Sequence, residues 1–339
     1  MNLQAPNQLP SPNHRSASVI GTGSYAPQRV LSNAELEKMV ETNDEWIVSR
    51  TGIRERRIAD ASESTSDLAA AAARAAMENA GIEAAEIDLI IVATVTPDMF
   101  FPSTACFVQT KIGATRAACF DVSAACSGFL FAMDIARQFI ATGTHNTVLV
   151  IGADKLSTIV DWTDRNTCVL FGDGAGAAIL RHKEGSNGIL ATHMGSDGAY
   201  AEILYIPGGG CLNPITAENA AQGINTIKMN GRETYKQAVT SMLSAANIAL
   251  QAANLTSDDL ACIIPHQANL RIIEAIADRM KVPMDRFLVN LDRYGNTSAA
   301  AVAIALDEAN RTGRMKSGDR ILLVVFGGGL TWASSVIEW

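Results

Sequence analysis

Two stretches of this chain carry one pattern twice. AGIEAAEIDLIIVA (80–93) and ANLTSDDLACIIPH (253–266) share the leading alanine, an acid at Glu86 and Asp259, and apolar residues at matched positions. Each follows an alanine-rich helical stretch, 67–79 in the first copy and 240–252 in the second, and Gly81 and Asn254 stand where a helix ends in a left-handed cap. The parallel continues. DVSAACSGF (121–129) precedes an apolar helix and the strand VLVIGA (148–153), and RYGNTSAA (293–300) precedes a helix over 301–310 and the strand ILLVVFGGG (321–329). Helix, strand, helix, strand, written twice, predicts a duplicated α/β architecture, and strands that are apolar throughout predict sheets covered on both faces. The halves divide as 16–184 and 185–339, with 185–230 the loop-rich part and 1–15 a polar, proline-rich flexible tail. FGDGAGA (171–177) lacks the spacing of a phosphate loop and reads as close packing with a structural Asp173.

Composition removes several classes of function. Lys+Arg 27 against Asp+Glu 35 leaves a net charge of −8, so the basic footprint of a nucleic-acid binder is missing. No run approaches the about 18 apolar residues that cross a bilayer. The six cysteines form no C-x-x-C pair and no export signal precedes them, which predicts reduced thiols in the cytoplasm. The five histidines show no metal-type spacing, so no metal site is expected.

Chemistry shows where the two copies differ. After its strand the first copy has Ala93 and the second His266; opening its helix the second has Asn296 and the first Cys126. Strand ends and helix starts are where open α/β folds place their sites. Free cysteines are usually structural, but Cys126 sits among Ala124, Ala125, Ser127 and Gly128, small residues that permit a tight turn into a helix whose N-terminus favours thiolate and binds negative oxygen. His266 in HQAN can donate toward a developing charge, although a lone histidine at a strand end is commonly a satisfied bystander. Asn296 has an equally plain role as a helix cap. Gly327, Gly328 and Gly329 either end a strand or expose backbone N–H groups as an oxyanion site with the amide of Cys126.

DVSAACSGF, HQAN and GNTSAA, with NDEWIVSRTGIRERRIA (43–59) and FGGGLTW (326–332), resemble the β-ketoacyl-acyl carrier protein synthase III family of thiolase-fold condensing enzymes, over about Ser16 to Trp339. The resemblance implies a five-layer αβαβα sandwich of two duplicated halves, a homodimer, and no cofactor, acyl-CoA being a substrate. It implies that Cys126 takes an acyl group, usually acetyl, from acyl-CoA, with Cys126 and Gly328 amides holding the oxyanion. Malonyl-acyl carrier protein then loses CO₂, and His266 and Asn296 stabilise the enolate that attacks the acyl-enzyme. It further implies that Trp46 and Arg165 sandwich the adenine of CoA and that Arg50 meets a phosphate. Phe101 would reach into the partner's acyl pocket, near Met229 and Tyr235, and Lys236 and Arg271 would receive the carrier protein's acidic helix. Asp278, beside Arg279, stands where the family has another basic residue.

Other readings keep the same residues. The order Cys, His, Asn also fits a papain-like hydrolase, but its cysteine signature is absent. A biosynthetic thiolase has a second catalytic cysteine near the last glycine turn, where this chain has Phe326 to Gly329. A condensing enzyme of specialised metabolism retains the triad and differs in pocket shape. A non-catalytic scaffold of this fold would not need all three triad residues.

Overall fold

The computed structural model describes residues 15–185 and 188–339. Two sheets, each built within one half of the chain, stack with helices between and outside them. The first half supplies β1 (Ser18–Tyr25), β2 (Leu89–Ala93), β3 (Ala118–Val122), β4 (Thr147–Asp154) and β5 (Gly174–Arg181), in the order β1-β5-β4-β2-β3. The second supplies β6 (Ile189–Ser196), β7 (Cys262–Pro265), β8 (Arg320–Gly327) and β9 (Thr331–Glu338), in the order β7-β8-β9-β6. The repeat is visible in the register. β2 runs parallel to β4, with Ala93 opposite Gly152, and β7 runs parallel to β8, with Pro265 opposite Val324.

Helices α1 (Thr65–Ala80) and α2 (Thr104–Ile112) cover the outer face of the first sheet, and α4 (Gly231–Ala252) and α5 (Leu270–Met280) that of the second. Between the sheets lie α3 (Gly128–Ala141) and α6 (Ala300–Arg311), whose buried Phe129, Met133, Val302 and Leu306 pack with residues of both sheets in one core. The result is the five-layer α/β sandwich of the thiolase fold. Apolar-through strands follow directly from this layering: every residue of β2 and β4 is buried. α1 begins at a Ser64 capping box and ends at Gly81, in the left-handed region at φ 66, and Asn254 takes φ 54 just past α4.

Two expectations need correction. Residues 185–230 contain β6, a regular strand pairing antiparallel with β9, because ILATHMGS has one half-buried face and none of the all-apolar character of its neighbours. α4 starts at Gly231, well before the alanine-rich stretch, with Asn230 accepting from the Glu233 amide at 3.2 Å. FGDGAGA is close packing: a Cβ on Gly176 would stand 2.5 Å from Ala303 Cβ, and buried Asp173 accepts from the Ala59 and Ser157 amides. The tail lies outside the described residues except Arg15, whose Nη1 donates to Asn146 Oδ1.

Candidate active site

β3 ends at Val122, and the chain turns through Ala124–Ser127 into the N-terminus of α3, placing Cys126 between the two sheets. Ala125, at φ 46, makes that turn in a region that costs a residue with a Cβ on the order of 1–2 kcal/mol. Thr331 Oγ1 donates to the Ala124 carbonyl at 3.1 Å and holds the turn from the second half. The helix start was expected to favour thiolate. Instead burial pushes the Cys126 thiol up to about 12, the nearby Asp154 charge adds to this, and a hydrogen bond to the Ser298 side chain opposes it. The resting sulfur is therefore a protonated thiol near pH 7.

His266 follows β7, its amide donating to the Val324 carbonyl at 2.8 Å. Burial drives its imidazole down to about 4, so the ring is neutral near pH 7. Its Nδ1 is buried without a hydrogen-bond partner among the described residues. Gln267 braces the turn behind it by donating to the Pro265 and Leu288 carbonyls.

Asn296 is fixed from both halves. Its amide donates to the Leu170 carbonyl at 2.8 Å, and its carbonyl accepts from the Gly172 amide at 3.0 Å. Its Oδ1 accepts from the Ser298 amide at 2.9 Å, an interaction of the capping kind. The capping and catalytic readings of Asn296 are compatible, because the oxygen end of the carboxamide is engaged and the NH₂ end is left to donate.

Cys126, His266 and Asn296 line one cavity of about 350 Å³. Met229 and Tyr235 line it as well, with Trp46 and Arg50 among its further lining. Phe101 does not; it is 84% exposed, in the loop after β2. Arg50 and Arg165 place their guanidinium carbons 4.7 and 5.0 Å from the Trp46 ring centre, and Arg165 Nη1 donates to the Glu41 carbonyl. Arg165 thus stacks on Trp46 itself, so the two side chains are in contact and do not stand apart as the walls of an open slot. Lys236 and Arg271 are exposed at the starts of α4 and α5, and Arg271 lies 5.8 Å from the Tyr235 ring centre. Gly328 lies against the Leu204 carbonyl, where a Cβ would come within 2.8 Å.

The sequence reading missed Phe171, Leu204, Met242 and Phe326, which give the cavity its apolar walls. It also missed Ser298 and Asp154, which stand behind the nucleophile. Ser298 has one visible signal, its place two residues after Asn296; its φ of 53 is not readable from sequence. Among the described residues no group of three or more His, Cys, Asp or Glu is arranged to hold a metal ion.

Residues 120–198 match the family model for 3-oxoacyl-[acyl-carrier-protein (ACP)] synthase III, and residues 250–339 match the model for its C-terminal region. The chain is 56% identical over 324 residues to the β-ketoacyl-[acyl-carrier-protein] synthase III of Caldanaerobacter subterraneus, covering 96% of this chain and 98% of that protein. It is 53% identical over 323 residues to that of Roseiflexus castenholzii, covering 95% and 98%. Among solved structures, 3-oxoacyl-[acyl-carrier-protein] synthase III from Aquifex aeolicus superposes with a TM-score of 0.89 at 47% identity, covering 96% of this chain and 100% of that one. The priming β-ketosynthase of the R1128 polyketide pathway gives a TM-score of 0.89 at 37% identity, covering 97% and 98%.

Proposed function

This chain belongs to the β-ketoacyl-acyl carrier protein synthase III family and is an initiating condensing enzyme, an acyltransferase of fatty acid biosynthesis; on that premise we propose that Cys126 carries the acyl group and that His266 and Asn296 stabilise the carbanion. The observation that carries this reading is the meeting of the three side chains, one from the first half and two from the second, on a single apolar-walled cavity. In the first half-reaction Cys126 sulfur attacks the thioester of acyl-CoA, with the acetyl group as primer. The amides of Cys126 and Gly328 hold the tetrahedral oxyanion, and CoA leaves. In the second, malonyl-acyl carrier protein loses CO₂. The enolate oxygen takes one hydrogen bond from the neutral imidazole and one from the Asn296 NH₂, and its carbon attacks the acyl-enzyme. A neutral imidazole suits this role because it still carries an N–H to donate, while burial disfavours a further proton. No cofactor enters either step.

CoA enters past Trp46, Arg50 and Arg165, and the carrier protein docks on Lys236 and Arg271, with Asp278 weakening that basic face. A second copy of the chain completes the acyl pocket. Phe101 and its neighbour Phe100, 84% and 87% exposed, are large apolar side chains in need of cover, and β3 is an open sheet edge. The division at 184/185 accords with the assignment of β1–β5 and β6–β9 to separate sheets. Acyl-CoA and carrier protein as substrates, with six free cysteines, support a cytoplasmic setting. A role in specialised metabolism is not favoured, since the relatives of highest identity given above are named β-ketoacyl-[acyl-carrier-protein] synthase III, whereas the polyketide priming enzyme is only 37% identical. The test is a condensation assay with malonyl-carrier protein against a panel of acyl-CoA primers. 3-Oxoacyl-carrier protein formed from acetyl-CoA is the expected product, and hydrolysis of the thioesters without condensation would overturn the reading.

A further inference from the structure

Arg56 lies on a short antiparallel ribbon of Arg29–Ser32 and Glu55–Ile58, opposite Leu31, and is 0% exposed. Its Nη1 donates to the Leu31 carbonyl at 3.3 Å and to Asn33 Oδ1 at 2.7 Å, and its Nη2 donates to the Val169 carbonyl at 2.5 Å. Each of these acceptors is a neutral oxygen, and Nε is buried without a partner among the described residues. Burial pulls the guanidinium down to about 10, which leaves it charged near pH 7. A buried charge met by neutral acceptors is a costly way to fill space, and a well-packed apolar side chain of similar volume often serves a core better. What arginine provides instead is a rigid fork that grips two segments at once.

One of the two segments is the ribbon itself, and the other holds Asn296. Val169 follows the short helix Arg165–Cys168, and Phe171, two residues on, forms a parallel bridge with Asn296 through the bonds of Leu170 and Gly172 to the Asn296 backbone. The stem of Arg56 packs beneath that bridge. A Cβ on Gly172 would stand 3.1 Å from Arg56 Cβ, and a Cβ on Gly295 3.2 Å. The strand carrying Arg56 is tied to both sides of the bridge, since the Arg54 amide donates to the Asp292 carbonyl at 3.0 Å and the Asp173 amide to the Arg57 carbonyl at 2.8 Å. Val169, Leu170 and Phe171 line the cavity with Asn296, whereas Arg56 is outside its lining.

We propose that Arg56 is a positioning residue for the Asn296 carboxamide. Its fork holds the Val169 carbonyl against the ribbon and its stem supports Gly172 and Gly295, so that the bridge between them keeps the Asn296 NH₂ aimed at the enolate oxygen. The Ser298 amide orients the carboxamide within its own turn, and Arg56 sets where that turn stands in the cavity. The inference rests on the assignment of Asn296 to decarboxylation set out above. Attack by the Cys126 sulfur on acyl-CoA makes no use of the Asn296 NH₂, so loss of the fork falls on the second half-reaction. A donor displaced by about 1 Å loses roughly 10²-fold in rate.

The test is a double-mutant cycle in the full-length protein on Arg56→Lys and Asn296→Ala. Lysine keeps the charge but, as a point donor, cannot hold Asn33 and Val169 together. Acetyl-Cys126 formation is followed by mass spectrometry at saturating acetyl-CoA, and CO₂ release is followed at saturating malonyl-carrier protein. Arg56→Lys is expected to acetylate at close to the parental rate and to release CO₂ on the order of 10²-fold more slowly. The double variant is expected to release CO₂ at the rate of Asn296→Ala, because without the carboxamide Arg56 has nothing to position. A residue that only supports the fold would slow both half-reactions alike and would lower the double variant further, and either result overturns the proposal. CO₂ release at the parental rate in Arg56→Lys overturns it as well and leaves the role of Asn296 standing, whereas parental CO₂ release in Asn296→Ala overturns both. Arg56→Met, which keeps a stem between the two glycines and removes the buried charge, takes the place of Arg56→Lys if that variant does not fold. Failure of both to fold makes Arg56 a determinant of the fold and overturns the proposal.

Discussion

Gly327 lies against Cys126 so closely that a Cβ built on the glycine would stand 2.7 Å from the Cys126 amide nitrogen and 3.0 Å from that of Ser127. Backbone cannot move aside as a flexible side chain can, so a methyl group here shifts the turn that presents the sulfur. A displacement near 1 Å in an acyl-transfer site costs roughly 10²-fold. Gly327→Ala is therefore expected to form acetyl-enzyme at least about 10²-fold more slowly than the parent, measured by radioactive acetyl-CoA labelling, with Cys126→Ala as the unlabelled control. Labelling at the parental rate would show that the contact has no catalytic consequence.

His266 and Asn296 serve the second half-reaction in the mechanism above, so their removal separates the two steps. His266→Ala and Asn296→Ala should both accept label from acetyl-CoA while CO₂ release from malonyl-carrier protein falls on the order of 10²- to 10³-fold, the usual cost of one donor to a developing oxyanion. Asn296→Ala also deprives the Ser298 amide of its acceptor, so its acetylation is expected to slow somewhat and that of His266→Ala is not. Normal decarboxylation in both variants would refute the division of labour.

Trp46 offers a flat face already used by two guanidinium groups. Replacing that stack with adenine exchanges one contact for another, and Trp46→Ala removes the platform for both. Stacking and cation–π contacts of this kind contribute about 1–2 kcal/mol, so KM for acetyl-CoA should rise roughly ten-fold or more, with kcat little changed. An unchanged KM would remove Trp46 from the CoA path.

These expectations draw unequally on sequence. Cys126, His266 and Asn296 were legible because a duplicated fold provides its own control: a polar residue in one copy faces Ala93 or another unlike residue in the other. The small residues about Cys126 announced a tight turn. Asp154 was not legible, since an acid after VLVIGA reads as the polar end of a strand, and its hydrogen bonds come from Thr94–Thr96 and Ala299, two other parts of the chain. The rise of the Cys126 thiol was not legible either: a helix start is visible in sequence, whereas burial between the two sheets is a tertiary effect. The first turns of α4 escaped because residues that line the cavity, such as Thr234 and Tyr235, break the amphipathic pattern of a packed helix, and β6 escaped because its burial fades along the strand to exposed Met194 and Ser196.

The neutral imidazole also leaves a mark on stability. His266 is 5% exposed, and its proton affinity falls from the ordinary 6.5 to about 4 on folding. Between those values the unfolded chain binds a proton that the folded chain refuses, so stability is lost as pH falls through this window and is complete above it. A shift of that size corresponds to a loss on the order of 3 kcal/mol. His266→Gln cannot titrate and keeps a comparable volume, so its denaturation midpoint should decline less than the parent's between pH 6.5 and 4. Buried acids such as Asp154 titrate in both proteins and cancel in that difference. Parallel pH profiles for the two would mean that the folded protein accommodates the imidazolium, and with it that His266 is free to act as a base and not only as a donor.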